Sequence, residues 1–89
     1  MENKYTKFLN DKSYRNELLD KYPDQFMTLI ALHENATPEK TAQLLGITPT
    51  QVLANIVDLC AELDTELLIR YKGKFKQSRK IKEIYTFIS

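Results

Sequence analysis

The chain has 89 residues, 43% hydrophobic and 28% charged, with a formal net charge of +1. That length holds one domain with a modest core, and its longest apolar runs, Leu29–Leu32 and Leu67–Ile69, are far too short to span a membrane. The near-neutral total hides an asymmetry that points to a nucleic-acid or other anionic partner: residues 1–66 carry six basic and eleven acidic side chains (net −5), and residues 67–89 carry seven basic and one acidic (net +6).

Residues 2–22 read as a helical extension in two pieces. Tyr5, Phe8 and Leu9 form one apolar patch, and Tyr14, Leu18, Leu19 and Tyr22 form another on a different face. Asn10-Asp11-Lys12-Ser13 lies between them and offers N-cap residues. One bent helix is the alternative. The N-terminal aromatics Tyr5, Phe8 and Tyr14 have two readings: they cover the chain's own core, or they form a homodimer surface.

Tyr22-Pro23 marks a boundary, because the residue before proline avoids helical geometry. A helix then runs from about 23 to 34. It is apolar around most of its circumference, as a central helix should be.

Thr37-Pro38 and Thr48-Pro49 are matching helix starts, with threonine at the N-cap and proline at the first helical position, where no N–H is needed. Gln51 stands three residues after Thr48, the spacing of a capping box. Gly46 suits the left-handed residue that ends a helix. A short helix of about 38–45 therefore turns into a longer one of about 49–63. In the second helix Val52, Leu53, Ile56, Val57, Leu59, Cys60 and Leu63 are expected to face inward, and Thr50, Gln51, Ala54, Asn55, Asp58 and Glu62 outward.

Leu67-Leu68-Ile69-Arg70-Tyr71 is strand-like and Lys72-Gly73-Lys74 is a turn candidate. Residues 81–88 are rich in β-branched and aromatic side chains, so a return strand is preferred there. Ile81, Ile84, Tyr85 and Ile88 also fit helical spacing. The expected organisation is one domain over 1–89. It has an N-terminal extension (1–22), a three-helix core (23–63) with a helix-turn-helix at 38–63, and a β-hairpin at 67–88.

The block Thr41-Ala42-Gln43-Leu44-Leu45-Gly46-Ile47-Thr48-Pro49-Thr50-Gln51-Val52 has small Ala42 where two helices cross, Gly46 at the turn, and Leu45 and Ile47 beneath it. It resembles a helix-turn-helix, and with a following hairpin it resembles the winged helix-turn-helix superfamily, which includes small bacterial metal-sensing and drug-resistance repressors. The motif match covers about 42–59, and the topological likeness 24–88.

The resemblance implies a mainly α protein with a β-hairpin wing that binds double-stranded DNA as a small regulator of prokaryotic or mobile-element origin. It places Thr50, Gln51, Ala54 and Asn55 as base-reading candidates in the major groove. Arg70, Lys72, Lys74, Lys76, Arg79, Lys80 and Lys82 become wing residues that meet phosphate. Asp58 and Glu62 on the outward face oppose that reading. It leaves a second one open, a protein-interaction module without DNA binding. Tyr71 and Phe75 between lysines allow single-strand stacking as a third, which fails if both are buried. The bland alternatives are an edge-protecting basic hairpin and an ordinary polar helix surface.

No reading requires an enzyme, a metal or a cofactor. Cys60 is the only cysteine, which excludes an internal disulfide and a zinc site of several thiolates. It reads as a small buried hydrophobe. His33 is the only histidine and reads as a helix-end residue. Glu17, Asp20 and Asp24 read as solvated helix surface. The polar N-terminus lacks the apolar core of a signal peptide, so the expected location is the cytoplasm.

Overall fold

A computed structural model describes residues 3–88. It shows an α+β fold of six helices and a two-stranded antiparallel sheet. The N-terminal segment breaks at Asp11. Helix α1 (Lys4–Asn10) starts on Asn3, whose side chain accepts from the Thr6 N–H at 2.8 Å. Helix α2 (Lys12–Lys21) starts on Asp11, whose carboxylate accepts from the Tyr14 N–H at 3.1 Å. The two-piece reading therefore stands. Residue 2, where the extension was expected to begin, lies outside the described residues.

Helix α3 (Pro23–Asn35) packs against α2, α4, α5 and α6. It buries Phe26, Leu29 and Leu32, and Phe8 stacks on Phe26 with ring centroids 5.5 Å apart. Tyr5 and Phe8 are buried in the chain's own core, and Tyr14 is half-buried against it. Helix α3 ends in a γ-turn. The Thr37 N–H donates to the Asn35 carbonyl at 2.8 Å, with Ala36 between them at φ 69°, ψ −32°.

Helices α4 (Pro38–Leu45) and α5 (Pro49–Leu63) have the expected bounds because their caps form as the sequence implies. The hydroxyls of Thr37 and Thr48 accept from the N–H groups of Lys40 and Gln51 at 3.2 and 3.1 Å. Gly46 adopts the left-handed conformation at φ 69°, ψ 31°. The chain bends by 100° between the two helices. A pair at that angle, joined by a short glycine-containing turn, has helix-turn-helix geometry. Among the described residues no single helix is long and apolar enough to cross a membrane.

Strands β1 (Leu68–Tyr71) and β2 (Lys74–Gln77) pair from Leu68 opposite Gln77 to Tyr71 opposite Lys74. The two-residue loop has both residues at positive φ, Lys72 at 50° and Gly73 at 76°. This is the type I′ turn whose twist suits a hairpin. At the hairpin's base, Gln77 Nε2 donates to the carbonyls of Leu32 (3.0 Å) and Ala36 (3.1 Å), tying the sheet to the end of α3. Where α5 hands over to the hairpin, the Leu67 N–H donates to Cys60 Sγ at 3.4 Å.

The preferred return strand at 81–88 is not formed. Residues Arg79–Ile88 make helix α6, and the hairpin spans 68–77 rather than 67–88. Two forces decide this. The Ser78 hydroxyl accepts from the Lys80 N–H at 3.1 Å and caps the helix start. Ile81 and Ile84 are both fully buried; three residues apart, they share a helix face but would point to opposite sides of a strand. Helix α6 packs against α3, and the Tyr5 hydroxyl donates to the Glu83 carboxylate, so the first and last helices meet.

Candidate nucleic-acid interface

The inner face of α5 carries Val52, Ile56, Leu59 and Leu63, all fully buried. Thr50, Gln51 and Ala54 are exposed, as expected of base-reading candidates. Asn55 is not, being only 8% exposed. It lies one turn after Val52 and one turn before Leu59, so helix geometry places it on the buried side. Val57, expected inside, is 56% exposed because it falls opposite that side.

Burial of Asn55 is tolerated because its amide is satisfied. Nδ2 donates to Thr28 Oγ1 at 2.9 Å, and Oδ1 accepts from Gln51 Nε2 at 2.8 Å. The Thr28 hydroxyl donates to the Asp24 carbonyl at 2.7 Å. The Gln51 side chain thus reaches Asn55, not back to Thr48, and the capping box expected from its spacing is only half made, through the Thr48 hydroxyl. Thr28, 27 residues from Asn55, was not among the sequence candidates. Its only sequence signal is a hydroxyl within the apolar face of a central helix.

The seven cations divide between two elements. Arg70, Lys72, Lys74 and Lys76 are exposed on the hairpin. Arg79, Lys80 and Lys82, expected on the wing, belong instead to the first turn of α6. Lys80 is half-buried. Its ammonium donates to Thr65 Oγ1 and lies 5.2 Å from the Tyr5 ring centroid. Tyr71 and Phe75 are 60% and 51% exposed, so the condition that would have removed single-strand stacking is not met. Arg70 sits 6.0 Å from the centroid of Phe75, its cross-strand partner, and Lys72 sits 5.3 Å from that of Tyr71.

Two grooves flank α5. One, of about 490 Å³, separates the α5 N-terminal end from the hairpin; Pro49, Thr50, Leu53, Lys74 and Phe75 line it, with Glu39 as its one acid. Both Thr37-Pro38 and Thr48-Pro49 helix starts border it, through Thr37, Pro38 and Pro49. The other, of about 520 Å³, runs between α3 and α5, and Asp24, Met27, Gln51 and Asp58 are among the residues that line it. Asp58 accepts from Gln25 Nε2 at 3.3 Å. Asp58 of α5 therefore borders the α3-side groove, while Lys74 borders the hairpin-side one. Glu62 is half-buried beside Tyr14, whose hydroxyl pKa is raised by burial first and then by the charges of Glu62 and Glu17.

Other sequence candidates have structural placements. The His33 ring packs on Tyr85, centroids 4.3 Å apart. Cys60 is half-buried at the end of α5. Among the described residues no cluster of three or more His, Cys, Asp or Glu side chains could hold a metal ion. No protein-family model, curated protein or solved structure matches this chain.

Proposed function

We propose that this protein binds double-stranded DNA, with the N-terminal end of α5 in the major groove and the hairpin on the flanking phosphates. The observation that carries the reading is the juxtaposition across one groove of Thr50, exposed at the start of α5, with Lys74 and Phe75 of a hairpin that holds four exposed cations and no acid. Helix N-termini favour phosphate, and an exposed two-stranded ribbon gives lysines reach along a backbone. Lys72 adds support. Position one of a type I′ turn favours Asn, Asp or Gly, yet a lysine accepts positive φ there and puts a charge at the hairpin tip.

Asp58 lies seven residues beyond Gln51, about 10 Å farther along the helix. A helix inserted by its first two turns leaves that carboxylate outside the groove.

The test is an electrophoretic shift on mixed duplex fragments at about 100 mM salt, repeated over a salt series. Four hairpin cations on phosphates give a slope of log K against log salt of about −4, and Lys74→Ala or Lys76→Ala each flattens it by about 0.9 while weakening all sequences alike. Absence of a shift at tens of micromolar protein removes the reading. A single-stranded competitor more effective than duplex would move the function to single strands, with Tyr71 and Phe75 as stacking platforms.

A second reading, protein docking, is favoured by one observation. Leu44 on α4 and Val57 on α5 are 65% and 56% exposed, leaving apolar surface on the helical pair. Recovery of a stoichiometric protein partner that survives nuclease treatment would support it.

A further inference from the structure

We infer that Thr28 and Asn55 are positioning residues that lock the Gln51 amide in one orientation, so that Gln51 offers an acceptor and a donor matched to the major-groove edge of adenine. This rests on the duplex-DNA reading.

The orientation is dictated from the buried end outward. The Asp24 carbonyl can only accept, so the Thr28 hydroxyl, 2.7 Å away, spends its one hydrogen there. Thr28 Oγ1 can then only accept from Asn55, which must turn Nδ2 towards it, at 2.9 Å. Asn55 Oδ1 is left facing Gln51 and needs a donor, so Gln51 presents Nε2, at 2.8 Å. Each step has one solution. Gln51 keeps Oε1 and one Nε2 hydrogen uncommitted on an exposed side chain near the α5 N-terminal end. A glutamine amide reads adenine with that pair, Oε1 accepting from N6 and Nε2 donating to N7.

Burial gives the relay its force. Thr28 and Asn55 are 2% and 8% exposed, so a flipped Asn55 would set two acceptors together where water cannot compensate. The side chain is thereby ordered before DNA arrives, which removes part of the entropic cost of binding.

One test needs no DNA. Glutamate at the third position of a helix that starts on threonine normally stabilises, through a capping box and the helix dipole. The relay predicts the opposite for Gln51→Glu, because its carboxylate would face Asn55 Oδ1, and the melting temperature should fall. In a Thr28→Val background Asn55 is free to turn its amide, and the same substitution should no longer lower the melting temperature. A rise on Gln51→Glu alone overturns the relay, whether or not Thr28→Val folds.

The second test selects sites from a randomised duplex library. Wild type should enrich adenine at one position. Gln51→Ala and Thr28→Val should each relax that position by about fivefold to a hundredfold, with nonspecific affinity within about twofold, and Thr28→Ser should restore it. Duplex binding without an adenine position that responds to both residues overturns the inference and leaves the proposed function standing. Failure to bind any duplex overturns both, while the melting temperatures still report the amide orientation.

Discussion

Ala36 holds the least comfortable backbone of the described residues. A side chain at φ 69°, ψ −32° crowds its own carbonyl, and glycine relieves the crowding. Ala36→Gly should stabilise the fold by about 1 kcal/mol, net of the extra freedom glycine gives the unfolded chain. At this chain length that is a rise in melting temperature of about 4–8 °C, readable by calorimetry. The strain is invisible in Asn35-Ala36-Thr37 because nothing in that tripeptide demands positive φ. Thr37, Thr48 and Gly46 were legible because each acts within four residues of itself, through a cap or a turn. Asn55 was misplaced for the converse reason. Polarity suggested the surface, but its partner Thr28 sits on another helix, and a satisfied buried amide has no local signature.

The hairpin is the element where sequence and structure agree in kind and differ in extent. Its turn follows from Lys72-Gly73, while the pairing of 68–71 with 74–77 replaces the return strand expected at 81–88. Lys72→Asn should improve the turn by about 0.5 kcal/mol, since asparagine adopts positive φ more readily. The same change removes a tip charge and, on the proposed duplex-DNA reading, should flatten the salt dependence of binding by about 0.9. Stability and affinity would thus move in opposite directions, measured by thermal melting and by titration of one variant. The strand preference at 81–88 failed because β-branched composition and helical spacing coincide there. Ser78 was the deciding local signal, a cap ahead of the ambiguous run, and the buried pair Ile81 and Ile84 supplied the tertiary one.

At the scale of the whole molecule, the opposed charges of the two chain segments occupy different elements, and α1 meets α6 through Tyr5 and Glu83. The Tyr5 hydroxyl is held well above the usual tyrosine range by burial first, then by its bond to Glu83 and that carboxylate's charge. An unfolded tyrosine loses its proton near pH ~10. The folded one holds it longer, so this contribution is complete below that pH and is lost as pH climbs towards the folded value. Tyr14 shifts in the same direction. Tyr5→Phe should cost about 1–2 kcal/mol at neutral pH, yet its melting temperature should fall less steeply between about pH 9 and 11 than that of wild type. Equal slopes would mean that the hydroxyl is not held.

Cys60, the only thiol in the chain, takes the Leu67 amide where α5 passes into the hairpin. The sulfur is half-buried, so a bulky alkylating reagent meets it slowly in the closed junction and faster when the junction parts. When reclosing outruns alkylation, the labelling above that closed-state rate reports the population of the parted junction; when alkylation outruns reclosing, it reports the frequency of parting. The native chain therefore carries a single-site reporter at the junction of α5 with its hairpin, readable by mass spectrometry without an engineered probe.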